Sequence, residues 1–214
     1  MKKMILTSSG ITESFKDDFF NLLGRDPKGL KLCLITTAAY PEIKREWLDP
    51  ILDQLKGFGF EVELMDLEDE SPDTLREKLS DFDVIYVNGG NTFKLLKYVR
   101  KSGFGEIIGD ILEMGKIYVG VSAGSILVGP SIEGAGWEDL IPDENVVDLK
   151  DLTGINLVNL CVFPHFEKAY KEAIDKEARK VDYPIAAISE DQAVLVRDDR
   201  WEVVGEGERI VYNQ

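Results

Sequence analysis

The segment KIYVGVSAGSILVG, residues 116–129, joins an apolar run to a Gly-x-Ser-x-Gly turn and then to a short helical stretch. The turn contains Gly120, Ser122 and Gly124. A strand that turns sharply into a helix crowds the backbone on both sides of the serine, so glycine is favoured two positions away. The turn raises the hydroxyl of Ser122 at a helix N-terminus, where developing negative charge is stabilised. This pattern predicts a nucleophile elbow or, alternatively, a serine that only caps the helix.

The rest of the chain repeats this alternation of apolar runs and amphipathic patterns. The runs predicted as strands are MILTSS, KLCLITTA, EVELMDL, DVIYVNGG, KIYVGVSAG, NLCVFPH, YPIAAIS and AVLVRD. Helical patterns cover 42–57, 72–80, 92–101, 104–114, 123–128 and 167–180. Nearly continuous apolar strands are typical of a parallel sheet that helices cover on both faces. We therefore predict an α/β fold with a doubly wound, mostly parallel sheet.

The C-terminal segment AVLVRDDRWEVVGEGERIVYN has a different pattern. Its short apolar runs are separated by DDR and GEGE turns, which predicts a small antiparallel addition at one end of the sheet. The chain contains no internal repeat, low-complexity tract or long linker, and 214 residues fit one domain. We therefore predict one domain spanning residues 1–214.

Composition narrows the possible partners. The formal net charge is −15, from 40 acidic and 25 basic residues, and such a surface repels nucleic acids and anionic lipids. No run approaches the roughly 18 apolar residues of a membrane span, and the apolar stretch near the first residue is shorter than the roughly 7–15 of a signal peptide. These features predict a cytoplasmic protein without a nucleic-acid or membrane partner.

The two cysteines, Cys33 and Cys161, each lie inside an apolar run. This context favours buried strand residues over a disulfide or a metal cluster. With two cysteines and one histidine, the chain does not offer the usual four ligands of a structural zinc site. We expect no metal or organic cofactor.

Four polar segments directly follow predicted strands: 89–92, 120–124, 164–166 and 189–191. In doubly wound sheets, binding sites form beyond the carboxyl ends of the strands. His165 is the only histidine, and a serine nucleophile commonly relies on an imidazole base. The sequence therefore predicts His165 as the base for Ser122. The alternative is that this single histidine has only a structural role.

The remaining parts of such a site are an acid and two oxyanion donors. Glu190 and Asp191 follow a predicted strand and are candidates for the carboxylate that orients the imidazole. The alternatives between the serine and the histidine are Asp139, Asp143 and Asp148. Backbone N–H groups of Gly90 and Ala123 would supply the oxyanion hole, unless the glycines only form a turn before a capped helix.

Taken in order, YVNGGNTFKLL, YVGVSAGSILVGPSI, FPHF and ISEDQAV resemble peptidase family S51, the serine peptidases of the peptidase E or aspartyl dipeptidase type. The resemblance is clearest between about Asp83 and Val196. It implies a fold akin to class I glutamine amidotransferases and a Ser-His-Glu triad. Carried over by position, Ser122 is the nucleophile, His165 the base and Glu190 the acid. The resemblance also implies a short peptide substrate and an acyl-enzyme intermediate.

Two features differ from the family pattern. Pro130, Ser131 and Ile132 are followed by EGAGW, whereas the family has a Thr-Asn-Asp stretch. The first arginine after His165 is Arg179, whereas the family carries a closer arginine suited to a substrate carboxylate. The substrate preference therefore stays open between Asp-X dipeptides, other peptides and the amides that a cyanophycinase-like enzyme cleaves. A catalytically silent α/β binding protein is the further alternative.

Overall fold

The structure, a computed structural model, describes residues 1–39 and 44–213. The strands are β1 (Lys3–Thr7), β2 (Lys31–Ile35), β3 (Glu61–Met65), β4 (Val84–Val87), β5 (Ile117–Val121), β6 (Cys161–Phe163), β7 (Ile185–Ala187), β8 (Gln192–Arg197), β9 (Arg200–Gly205) and β10 (Ile210–Tyr212). The α-helices are α1 (Lys16–Leu23), α2 (Arg45–Phe58), α3 (Pro72–Ser80), α4 (Thr92–Lys101), α5 (Phe104–Glu113), α6 (Ala123–Ile126) and α7 (Lys171–Ala178). Short 3₁₀ turns occupy Leu67–Asp69, Glu133–Gly136 and Lys168–Tyr170.

Seven strands form the central sheet in the order β3-β2-β4-β5-β1-β8-β9. The strands from β3 to β1 in this order are parallel to their neighbours. At the other end, β8 is antiparallel to β1, and β9 is antiparallel to β8. The predicted α/β fold with a mostly parallel sheet is confirmed, and β8 and β9 form the predicted antiparallel addition.

Both faces of the central sheet are covered by apolar side chains. Successive residues of a strand point to opposite faces, and the strands accordingly divide their residues between two buried clusters. One cluster includes Met4, Leu6, Cys33, Ile35, Ile85 and Val87. The other includes Ile5, Leu32, Leu34, Val84, Tyr86 and Val119. This explains why these strands are apolar without alternation in the sequence.

Three strands do not join the central sheet. β6 and β7 pair in parallel, and β10 pairs antiparallel to β7, which gives a second sheet in the order β10-β7-β6. The prediction that the whole C-terminal segment is added to one end of a single sheet is therefore wrong for β10. The physical reason is a separate apolar cluster in which Phe163 and Ile185 pack with Ile174 of α7. Apolar character predicted these strands but could not identify their partners.

The helices show smaller differences from the prediction. α1 was not predicted, although Phe15, Phe19, Leu22 and Leu23 have helical spacing and are buried. α3 and α4 have the predicted bounds, whereas α6 and α7 are shorter than expected. Of the predicted helix 42–57, residues 42 and 43 lie outside the described residues. Within the described ranges, no helix combines the length and apolar character needed to cross a bilayer.

Candidate active site

Ser122 directly follows β5 and has a backbone conformation that is rare for a side-chain-bearing residue, with φ 49° and ψ −109°. Its backbone N–H donates to the carbonyl oxygen of Thr7 on the neighbouring strand, at 2.9 Å. The side chain makes no capping hydrogen bond to α6. The alternative in which this serine only caps the helix is therefore wrong, because the hydroxyl is directed elsewhere. Strained backbone of this kind is typical of functional sites.

Close backbone contacts require glycine on both sides of Ser122. A Cβ atom built on Gly120 would lie 2.6 Å from the carbonyl oxygen of Gly124. A Cβ atom on Gly124 would lie 2.2 Å from the carbonyl oxygen of Val87. The turn is also fixed by the buried hydroxyl of Tyr118, which donates to the carbonyl oxygen of Gly124 at 2.7 Å. The Gly-x-Ser-x-Gly pattern is therefore a consequence of packing α6 tightly against β4 and β5.

Three predicted side chains form one hydrogen-bonded chain. His165 Nε2 lies 3.0 Å from Ser122 Oγ, and His165 Nδ1 lies 2.6 Å from Glu190 Oε1. His165 follows β6 with φ 57°, in the left-handed region, and Glu190 follows β7. The structure thus brings together residues from the central and the second sheet, whereas the sequence pattern predicts one sheet for all their strands.

Ser8 holds the histidine and glutamate segments in place, and sequence analysis did not identify it. Its buried hydroxyl accepts a hydrogen bond from the backbone N–H of His165 at 3.1 Å. The same oxygen lies 3.1 Å from the carbonyl oxygens of Ile188 and Ser189, to which it can donate. Ser8 directly follows β1, a central strand, and this position at a strand end was the available signal.

The other candidate carboxylates lie away from the imidazole or have different partners. Asp139 pairs with Lys176 at 2.8 Å, and Asp148 pairs with Lys150 at 2.5 Å. Asp143 Oδ2 accepts a hydrogen bond from the backbone N–H of Thr92 at 2.8 Å. His165 Nδ1 is hydrogen-bonded to Glu190 and not to the neighbouring Asp191. Among the described carboxylates, only that of Glu190 is hydrogen-bonded to His165.

The two predicted oxyanion donors belong to backbone segments that adjoin Ser122. Gly89 and Gly90 line the same cavity as Ser122, and a Cβ atom on Gly89 would lie 3.0 Å from Ser122 Cβ. Gly90 has φ 138° and abuts the carbonyl oxygen of Ala38, so this position requires glycine. Ala123 directly follows Ser122 at the start of α6. Within the described ranges, the backbone N–H groups of Gly90 and Ala123 have no hydrogen-bond acceptor.

Two cavities meet at the Ser122–His165 pair. The larger, about 680 Å³, extends toward α2 and has Trp47, Ile51 and Val121 among its apolar lining. The smaller, about 220 Å³, lies between α6 and the 134–143 segment. Ser122 and His165 line both cavities. The Ser122–His165 pair therefore lies where the two cavities adjoin.

The two cysteines are not candidate nucleophiles. Both are free and buried, and burial raises the pKa of the Cys33 and Cys161 thiols to about 12. A thiol must ionise to react as a nucleophile or bind a metal, so both are unreactive at neutral pH. In the described part of the chain, no group of three or more His, Cys, Asp or Glu side chains could hold a metal ion.

Comparison with known proteins gives a consistent result. The model of peptidase family S51 matches residues 4–204. An uncharacterized peptidase of Pasteurella multocida (strain Pm70) is 30% identical over 204 residues, covering 93% of this chain and 95% of that protein. An uncharacterized peptidase of Listeria monocytogenes is 31% identical over 205 residues, with 92% and 95% covered. Peptidase E of Escherichia coli O1:K1 is 36% identical over 98 residues, which cover 46% of this chain and 40% of that enzyme.

Solved structures show the same fold. The crystal structure of a candidate peptidase E from Listeria monocytogenes EGD-e has a TM-score of 0.78 and 29% identity, covering 97% of this chain and 100% of that one. A peptidase from an acI-B1 actinobacterium has a TM-score of 0.71 at 22% identity, covering 99% and 89%. The family model spans nearly the whole chain and includes the strand, elbow and histidine segments described above. The chain therefore belongs to peptidase family S51 and is a serine-type peptidase.

Proposed function

We propose that this protein hydrolyses short peptides through a Ser122–His165–Glu190 triad and a covalent acyl-enzyme. The observation that carries the proposal is the hydrogen-bonded chain from Ser122 Oγ to His165 to Glu190, at 3.0 and 2.6 Å. A nucleophile bonded to a base, with the base oriented by a third group, is the geometry of serine acyl transfer. The family relationship supports the same reaction class.

In this mechanism, His165 Nε2 removes the proton of Ser122 as Oγ forms a bond to the scissile carbonyl carbon. Glu190 accepts the hydrogen bond of Nδ1–H, which fixes the tautomer and stabilises the imidazolium. His165 then protonates the amine as the C–N bond breaks. Water, deprotonated by the same imidazole, releases the acyl group and restores the serine.

The oxyanion of the tetrahedral intermediate requires preorganised donors. We assign these to the backbone N–H groups of Gly90 and Ala123, which lack acceptors among the described residues. One such donor is typically worth about 3–4 kcal/mol of transition-state stabilisation. The two donors come from separate segments, after β4 and after β5, whose close packing fixes their relative position.

The proposed substrates are short peptides without a requirement for aspartate. Cavities of about 680 and 220 Å³ suit a few residues at most. An Asp-X preference calls for arginine or lysine beside the substrate carboxylate, and neither cavity is lined by one within the described residues. A cyanophycinase-like amide hydrolase would use the same triad and differ only in substrate. The alternative of a catalytically silent binder does not fit a member of this serine peptidase family in which the proposed nucleophile, base and acid are hydrogen-bonded in order.

The proposal is tested by dipeptide hydrolysis with the wild type and two variants. Dipeptides that vary in the first residue are incubated with the purified wild type, with Ser122→Ala as the background and with His165→Ala. We expect hydrolysis by the wild type and a loss of about 10²-fold to 10⁴-fold in kcat/KM in His165→Ala, because the group that accepts the serine proton is removed. No hydrolysis by the wild type, or rates in either variant equal to the wild-type rate, would rule out the mechanism.

Ser8→Ala is expected to reduce kcat by about tenfold to a hundredfold, because displacement of a catalytic group by about 1 Å has effects of this size. The substitution removes the acceptor of the His165 N–H and the link to the glutamate segment. Ser8 is a positioning residue, so KM should change much less than kcat. Ser8→Thr, which keeps the hydroxyl, should recover part of the loss. An equal loss of kcat in both variants would contradict this role.

A further inference from the structure

Asp143 occupies a position in the active site that the proposed mechanism does not use. Asp143 lines both cavities, together with Ser122 and His165. It is half-buried and belongs to the loop between the 3₁₀ turn Glu133–Gly136 and β6. An ionisable group in this place faces any substrate that reaches the nucleophile.

The fold fixes this carboxylate in place. The backbone N–H of Asp143 donates to the carbonyl oxygen of Ala135 at 2.7 Å, and Oδ2 accepts from Thr92 N–H at the start of α4. The next residue is held as well, because the Asn91 side chain donates to the carbonyl oxygen of Glu144 at 2.7 Å. The position of the carboxylate is thus determined before any substrate binds, as recognition requires.

No basic side chain of the described residues neutralises Asp143. It forms no ion pair with a described residue, and only its Oδ2 atom has a described hydrogen-bond donor. The nearby Lys94 on α4 is directed elsewhere: its Nζ donates to the carbonyl oxygen of Ala39 at 2.9 Å and lies 3.9 Å from Glu68. Apart from His165, Asp143 is the only ionisable side chain in the described lining of the two cavities. Its charge is therefore available to a cationic group of the substrate.

We propose that Asp143 binds the α-ammonium group of the substrate and so selects peptides with a free amino terminus. This inference rests on the proposed peptidase function. In an amino-terminal residue, the ammonium nitrogen is separated from the scissile carbonyl carbon by one atom, Cα. Ser122 and Asp143 line the same two cavities, so an ammonium one atom away from a carbonyl bound at Ser122 lies in a cavity that Asp143 also lines. The same charge repels an aspartyl or glutamyl side chain in the first position of the substrate.

The test compares alanyl-leucine with propionyl-leucine, which lacks only the amino group. Asp143→Asn removes the charge, and its amide oxygen can still accept the Thr92 N–H. We expect the wild type to favour alanyl-leucine in kcat/KM by about tenfold to a hundredfold, the range for hydrogen bonds between charged groups. In Asp143→Asn this ratio should fall at least about fivefold. The control Asp139→Asn, which alters an exposed pair with Lys176, should keep the wild-type ratio.

A second pair of substrates tests the repulsion. Aspartyl-leucine and asparaginyl-leucine have nearly the same shape and differ in charge. The wild type should cleave the asparaginyl substrate faster, and Asp143→Asn should narrow the difference. The inference would be overturned if Asp143→Asn left the ratio of kcat/KM for alanyl-leucine to kcat/KM for propionyl-leucine unchanged, including the case in which both values fell equally. Asp143 would then act only on α4 or on the imidazolium.

Failure of the inference and failure of the proposed function give different results. If the wild type cleaves dipeptides and only the ratio is insensitive to Asp143, the triad stands and the ammonium site is wrong. If the wild type cleaves neither substrate, the proposed function is wrong. In that case, calorimetry on Ser122→Ala tests the ammonium site separately. Alanyl-leucine should bind more tightly than propionyl-leucine. Equal binding of the two compounds, or no binding of either, would overturn the ammonium site.

Discussion

Replacing Ser122 with alanine is expected to lower kcat for dipeptide hydrolysis by roughly 10⁴-fold to 10⁶-fold, the loss typical of a removed nucleophile. The reason is that the hydroxyl, 3.0 Å from His165 Nε2, is the only proposed acyl acceptor. The buried cysteines cannot replace it, because their thiols remain protonated at neutral pH. Steady-state kinetics on the purified variant gives the measurement.

Two controls make this result specific to the nucleophile. The melting temperature of Ser122→Ala should stay within about 4 °C of the wild-type value, because the hydroxyl caps no helix and its loss removes only the hydrogen bond to the partly exposed His165. Ser80→Ala, at the end of α3, should keep full activity. Hydrolysis by Ser122→Ala within tenfold of the wild-type rate would mean that another group attacks the substrate.

Gly124→Ala is expected to destabilise the fold by about 2–4 kcal/mol, at the upper end of the range for overpacking. The added methyl group would lie 2.2 Å from the carbonyl oxygen of Val87. Because the obstacle is strand backbone and not a mobile side chain, α6 must move away from β4. That movement displaces Ser122, so activity should fall together with stability.

Urea denaturation measures this loss of stability. The midpoint of the unfolding transition should fall, while the dependence of the unfolding free energy on urea concentration stays constant. Gly57→Ala is the matched control, since Gly57 lies within α2 and a Cβ atom there has no neighbour within 4 Å. This control should be neutral or stabilising by up to about 1 kcal/mol, as alanine favours helix. A midpoint for Gly124→Ala equal to that of the wild type would contradict the packing argument for the elbow.

Much of the fold was predictable because it follows from local patterns of apolar and polar residues. The apolar strands of the central sheet and the bounds of α3 and α4 follow from the sequence, and Asn91 marks the start of α4 by accepting a hydrogen bond from Lys94 N–H. The partners of β6, β7 and β10 were not predictable, because three-residue apolar strands fit either sheet equally well. α1 has the helical spacing of Phe15, Phe19 and Leu22 but was overlooked.

The candidate site was predictable only where its residues have distinctive chemistry. The serine between glycines and the sole histidine stand out, and the resemblance selected Glu190 among many acids. Ser8 could not be selected, because its role depends on contacts with residues more than 150 positions away. From the sequence, Asp143 is only an alternative acid of the triad. Its position in the chain does not show that this loop residue lines the cavities beside Ser122.

Covalent labelling with a fluorophosphonate shows whether Ser122 is an activated nucleophile. The purified protein is treated with the reagent, digested and mapped by mass spectrometry. We expect one adduct, on the peptide that carries Ser122, with labelling lost in Ser122→Ala and strongly slowed in His165→Ala. An adduct on a different residue, or an unchanged labelling rate in Ser122→Ala, would show that Ser122 is not the nucleophile.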